Sequence, residues 1–223
     1  DLESKIDQAI QQARVIGGEK IDLAEIPTVV DHVPPVIGND PSGFTLSDKK
    51  DVLDQYAEIM MRNPGIQSSS IGYSDARRRM VFANSEGSYI DQERVDVNMR
   101  LNAQARNGSD VQQYGISLGS LGDFGFVMNL QEEAEEVAEK AVALLNAPEV
   151  NGGEYTVILD PILAGVFIHE AFGHLSEADH IYAEPRLQEL MKPGKRFGGV
   201  HLNVKDGATV PSPTLRGSYA YDD

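Results

Sequence analysis

Val95, Val97, Met99, Leu101 and Ala103 alternate with polar residues, a period of two that only an extended strand with one dry and one wet face can satisfy. Asn107-Gly108 follows, a pair suited to a tight hairpin reversal because both central positions take positive φ. Val111 to Leu118 can then return beside the first strand. Upstream, Ile71 and Tyr73 lead to a turn around Ser74-Asp75, and Met80 to Ala83 run into Asn84-Ser85-Glu86-Gly87. An antiparallel meander is predicted over residues 66–118. Asn107-Gly108-Ser109 also matches a glycosylation acceptor, but a hairpin turn accounts for the same residues.

Helical spacing flanks this region. Leu2, Ile6, Ala9, Ile10, Ala13 and Ile16 recur at the helical period before Gly17-Gly18. Prolines 27, 34, 35 and 41 then make residues 19–44 an extended connector, not a packed element. A second helix is expected from a cap at Ser47, with Val52, Leu53, Tyr56, Ile59 and Met60 on one side and Asn63-Pro64-Gly65 as its stop. Asn129 and Glu132 form a capping pair for a third, whose Ala134, Val137, Ala138, Ala141, Leu144 and Leu145 face the core. Its Glu132, Glu133, Glu135 and Glu136 make a solvated side. Gly115, Gly119, Gly122 and Gly125 fit no phosphate-binding pattern and are read as loop and bulge positions.

Chemistry concentrates in His169-Glu170-Ala171-Phe172-Gly173-His174, at the end of the apolar run 162–168. Two imidazoles with a carboxylate after the first are suited to holding Zn²⁺ and deprotonating a water beside it. The histidines stand five positions apart, however, and on a regular α-helix five positions turn a side chain through roughly 140°. A π-bulge would return both rings to one side, and Gly173 marks where a distorted backbone is easiest to accept. Asp160-Pro161 supplies an N-cap and a first-turn proline. The following seven residues carry no polar side chain, so this helix should lie in the interior.

With these residues in place, the segment Tyr155–Ile181 resembles the TldD/PmbA family of metallopeptidases, and Leu215–Asp223 is similar to a second motif of that family. The resemblance implies that His169 and His174 are zinc ligands and that Glu170 is the general base. It implies a TldD-type subunit, with short or unfolded peptides as substrates and a homodimer, or a heterodimer with a paralogous subunit, as the working unit. The family's third ligand is a downstream cysteine, and these 223 residues contain none. Glu177 is the local alternative, as a partner orienting a ligand imidazole or as a direct ligand, with Asp179 and His180 as further options. Tyr219 and Tyr221 are candidates for an oxyanion donor or for aromatic packing. A non-catalytic scaffold or partner subunit without a functional metal site is the competing reading.

The formal charge of −16 argues against a phosphate-backbone partner, and the run Arg77-Arg78-Arg79 reads as a solvated hairpin turn. No apolar stretch approaches membrane-spanning length, and a cytoplasmic location is expected. His32 and His201 are isolated. Lys192-Pro193-Gly194-Lys195 reads as a loop, Val200, Leu202 and Val204 as a short strand, and Pro211 and Pro213 as extended chain after a turn at Asp206-Gly207. The expected fold is α+β, an antiparallel meander packed with helices plus a buried helix carrying the motif. Its parts are an N-terminal helix and connector (1–44), an α/β region (45–150) and the start of a metallopeptidase domain (151–223). Asp1 at one end and a motif at the other suggest part of a longer protein.

Overall fold

The computed structural model describes residues 1–18, 25–207 and 220–221. They form two compact units: Asp1–His32 with Met80–Asp91, and Val33–Arg79 with Gln92–Asp223. In the first, α1 (Leu2–Ile16) follows the predicted spacing, capped by the Asp1 carboxylate and ended by Gly17 at φ +64°. No residue of α1 is buried. The connector was expected to be unpacked, yet it contributes the strand β1 (Val30–Val33), because its prolines flank those four residues and leave their N–H groups free to pair. Val29 is tied in on both its polar groups, donating to Ser88 Oγ (3.2 Å) and accepting from Tyr89 N (2.8 Å). His32 Nδ1 lies 3.3 Å from the buried carboxylate of Asp91.

The sheet is the predicted meander, of longer strands. β2 (Ile66–Ala83), β3 (Tyr89–Asn107) and β4 (Asp110–Leu121) follow one another, and β3 pairs with β1, β2 and β4. The β3–β4 register runs from Asn107↔Asp110 through Leu101↔Ile116 to Asp96↔Leu121. β2 passes straight through Ser74-Asp75 and Arg77-Arg78-Arg79, where turns were expected. Arg77 binds Glu93 (2.6 Å) and Asp40 (2.7 Å) at once and is held in the strand, while all three arginines stay exposed as expected. Gly115 and Gly119 lie within β4, not in loops. Gly122 follows at φ +63°, where a Cβ would sit 2.1 Å from the Val36 carbonyl oxygen.

One face of β3 supplies the core. Val95, Val97, Met99, Leu101, Ala103 and Ala105 are all buried, as their alternation requires. Tyr56 and Met60 come from α2 (Leu46–Met61), and Ala134, Val137, Ala138 and Ala141 from α3 (Gln131–Leu144). Both caps differ from expectation. α2 starts two residues early with a capping box between Thr45 and Asp48, since a reciprocal pair satisfies two free amides and a lone Ser47 only one. α3 begins after Leu130 without a side-chain cap, because Asn129 donates instead to Gly125 O (3.0 Å) at the end of a 3₁₀ turn over Phe124–Met128. Leu145 packs on the core, whereas Leu144 is exposed.

α4 (Pro161–Ile168) departs most from expectation. Asp160 caps it, accepting from Ile162 N and Leu163 N, but none of its residues is buried. Ile162 is 79% exposed and Phe167 57%. A helix that is apolar all round is buried only where other elements cover every side. Here the covered face of the sheet is already filled by α2 and α3, and the core includes no described residue beyond Leu145. Val200, Leu202 and Val204 form no strand and are exposed, Gly199 to Leu202 closing a turn instead. Without a neighbouring edge, alternation alone has nothing to pair with. Pro211, Pro213 and Tyr219 lie outside the described residues. Among the described residues, no helix is long and apolar enough to cross a membrane.

Candidate metal centre

At Ile168 the α-helical pattern gives way to a π turn over His169–Gly173, closed by His174 N donating to His169 O. The extra residue does what the five-position spacing requires. The two imidazole rings lie with centroids 4.4 Å apart at 64°, and Glu170 Oε2 approaches to 3.7 Å from His174 Nε2. One ligand atom from each of His169, Glu170 and His174 falls within 4.8 Å of the other two. The whole group is exposed.

No unusual dihedral requires a glycine at position 173. Its φ of −55° and ψ of −57° suit any residue, but a Cβ there would come within 3.3 Å of His169 Nδ1. Phe172, on the same turn, packs against Phe197 with ring centroids 5.1 Å apart. A 3₁₀ turn over His174–Ser176 follows, and Ser176 Oγ donates to Gly173 O (2.8 Å). The chain then enters α5 (Ala178–Ala183) and α6 (Pro185–Leu190).

The structure separates the auxiliary candidates. Glu177 Oε1 lies 2.6 Å from His174 Nδ1, on the opposite edge of the ring from Glu170. With Asp179 and His180 it makes a second group of possible donor atoms, apart from the first. His180 Nδ1 lies 2.9 Å from His174 O. That carbonyl, with the charges of Asp179 and Glu177, raises the His180 pKa above its ordinary value. This contact spans six positions through an irregular turn, and no simple helical spacing would have announced it. Tyr221 meets Gln92 through its backbone, Gln92 Nε2 donating to Tyr221 O (3.1 Å) and Tyr221 N donating to Gln92 Oε1 (3.4 Å). His201 is exposed.

The donor set fits a borderline-soft divalent ion: two imidazoles with a carboxylate beside them. Two imidazoles leave a four-coordinate ion short of its usual three protein ligands.

Residues 39–147 match the family model for the PmbA/TldA metallopeptidase central domain, and residues 152–223 that for the C-terminal domain. The chain belongs to the PmbA/TldA metallopeptidase family. A metalloprotease of Synechocystis sp. is 39% identical over 100% of this chain and 48% of its own length. A metalloprotease of Methanocaldococcus jannaschii is 34% identical over 100% and 49% respectively. A zinc metalloprotease TldD homolog of Saccharolobus solfataricus is 28% identical over 99% and 48%. The chain thus spans about half the length of the curated relatives it matches.

Proposed function

We propose that this chain carries the metal-binding turn of a zinc-dependent peptidase, with His169 and His174 as ligands and Glu170 as general base. The observation that carries the reading is the π turn, which places two imidazoles and one carboxylate together despite a spacing that a regular helix would splay. The name of the Saccharolobus relative supports zinc as the ion.

Zn²⁺ held there supplies Lewis acidity toward a water and a scissile carbonyl. Glu170 follows His169 directly and approaches the His174 ring, so its carboxylate stands at the edge of the donor group. In this role it accepts a proton from the attacking water and returns it to the amine nitrogen as the C–N bond breaks. Short or unfolded peptides suit a site built on an exposed turn, because an extended backbone can reach it. A dimer is part of the same proposal.

Glu170→Gln in the intact protein is expected to keep stoichiometric zinc and to lose peptide cleavage by at least about a hundredfold, the usual span of a general base. His169→Ala and His174→Ala are expected to lose the metal itself. Retained turnover in Glu170→Gln would remove Glu170 from this role. Wild-type protein that takes up no zinc would favour a non-catalytic partner subunit.

A further inference from the structure

We infer that Glu177 is the positioning carboxylate of this turn: it holds the His174 proton on Nδ1 and thereby presents Nε2, the nitrogen beside Glu170, to a divalent cation. The part played by the ion rests on the metallopeptidase reading above, whereas the place of the proton follows from local contacts alone.

An ionised carboxylate only accepts hydrogen bonds. The 2.6 Å contact between Glu177 Oε1 and His174 Nδ1 therefore requires the proton to sit on that nitrogen. A ring that carries its proton on Nδ1 offers the lone pair from Nε2, which faces Glu170 at 3.7 Å. An imidazole ligand whose other nitrogen donates to a carboxylate is both oriented and made more basic. Direct ligation by Glu177 does not fit this placement, because its oxygen occupies the far edge of the ring from the donor group.

The ordinary duty of a residue at this position is different. Glu177 stands at the N-cap of α5, with φ −63° and ψ 131°, where a carboxylate would accept from the first amides of the helix. It makes no such bond. Its oxygens turn instead toward two imidazoles, Oε2 lying 3.7 Å from His180 Nδ1. His180 also grips the far side of the same unit, since a carbonyl only accepts and its 2.9 Å contact with His174 O places a proton on His180 Nδ1. The 3₁₀ turn and the Ser176 bond fix the three-residue step between ring and carboxylate.

Magnitudes separate this role from a structural one. The side chains of His174 and Glu177 are 47% and 43% exposed, and exposed pairs of this kind contribute little to folding. Loss of Glu177 should therefore appear in metal affinity and ring tautomer, not in stability.

Long-range ¹H–¹⁵N correlation on the metal-free intact protein reads the proton position directly, with His174 assigned by the signals missing in His174→Asn. The Nδ1–H tautomer is expected to dominate in wild type and to give way to Nε2–H in Glu177→Ala. Zinc affinity, measured by competition with a chromophoric chelator, should fall about 10- to 100-fold in Glu177→Ala. Glu177→Gln, which retains an acceptor oxygen without the charge, should fall between the two. Asp179→Asn removes the same charge next door and should bind zinc within about twofold of wild type, as a change off the ring contact. Thermal midpoints should stay together across the set.

Three results would overturn the assignment: a wild-type His174 carrying its proton on Nε2, a Glu177→Ala affinity within twofold of wild type, or an equal loss in Asp179→Asn. Wild-type protein without zinc affinity would instead overturn the metallopeptidase reading, and the tautomer would still decide what Glu177 does.

Discussion

Tyr56 shows how one side chain joins three elements. It is fully buried, its hydroxyl accepts from Leu130 N at 3.1 Å and donates to the Val127 carbonyl, and burial raises its pKa above the ordinary phenol value. Helix α2 is thereby bound to the 3₁₀ turn and to the start of α3, which lacks a side-chain cap of its own. Tyr56→Phe keeps the ring but strands a buried amide and a buried carbonyl. A loss of about 1–3 kcal/mol is expected, read from urea unfolding midpoints at constant slope; a change below about 0.5 kcal/mol would mean that water replaces the hydroxyl. The sequence shows Tyr56 on the apolar side of a helix, but its partners stand more than seventy positions away. The grouping of Glu170 with the two histidines was legible from their short spacing alone.

Elements were legible where their periodicity was internal. The β3 alternation and the apolar faces of α2 and α3, Leu144 apart, follow from local geometry and recur in the structure; the reversal falls one residue later than Asn107-Gly108, at Gly108-Ser109 between the paired Asn107 and Asp110, with Gly108 and not Asn107 at positive φ. Caps were less legible, because several nearby polar residues compete for the same amides. The Thr45–Asp48 box won over Ser47 at the start of α2. Thr45→Ala is accordingly expected to cost about 1 kcal/mol, whereas Ser47→Ala should change the same unfolding midpoint by no more than a few tenths; equal effects would show that the box contributes nothing beyond a single hydroxyl. The π turn belongs to this scale as well. A five-position separation demanded an irregular helix, and the extra residue entered between the histidines.

At the scale of the whole molecule, three carboxylates with hydrogen-bond donors around them are held below their ordinary pKa. Hydrogen bonds from Asn39, together with the Gly125 amide, hold the Asp123 pKa below its ordinary value of 3.8. Ser42 does the same for Asp40, with Arg77 adding to it, and Thr45 for Asp48. A depressed folded-state pKa contributes stability that is present above 3.8 and lost as pH falls through the lower folded value. The unfolding midpoint should therefore decline below about pH 4, and Asp123→Asn should make that decline shallower; an unchanged acid limb would show that Asp123 is not among its sources. Ser42 and Thr45 stand within three positions of Asp40 and Asp48, whereas for Asp123 the donor depended on tertiary contact, as Asn39 reaches it across more than eighty positions. The same holds for the two largest departures from sequence. Arg77 stays in a strand because Asp40 and Glu93 come to meet it, and α4 stays exposed because no described element covers its apolar sides. The sequence by itself determined the period of each element and the grouping of two imidazoles with a carboxylate, since both depend on bonds and angles within a few residues. Only the tertiary structure decided which surfaces were buried and which distant charges met, because each depends on where another part of the chain comes to rest.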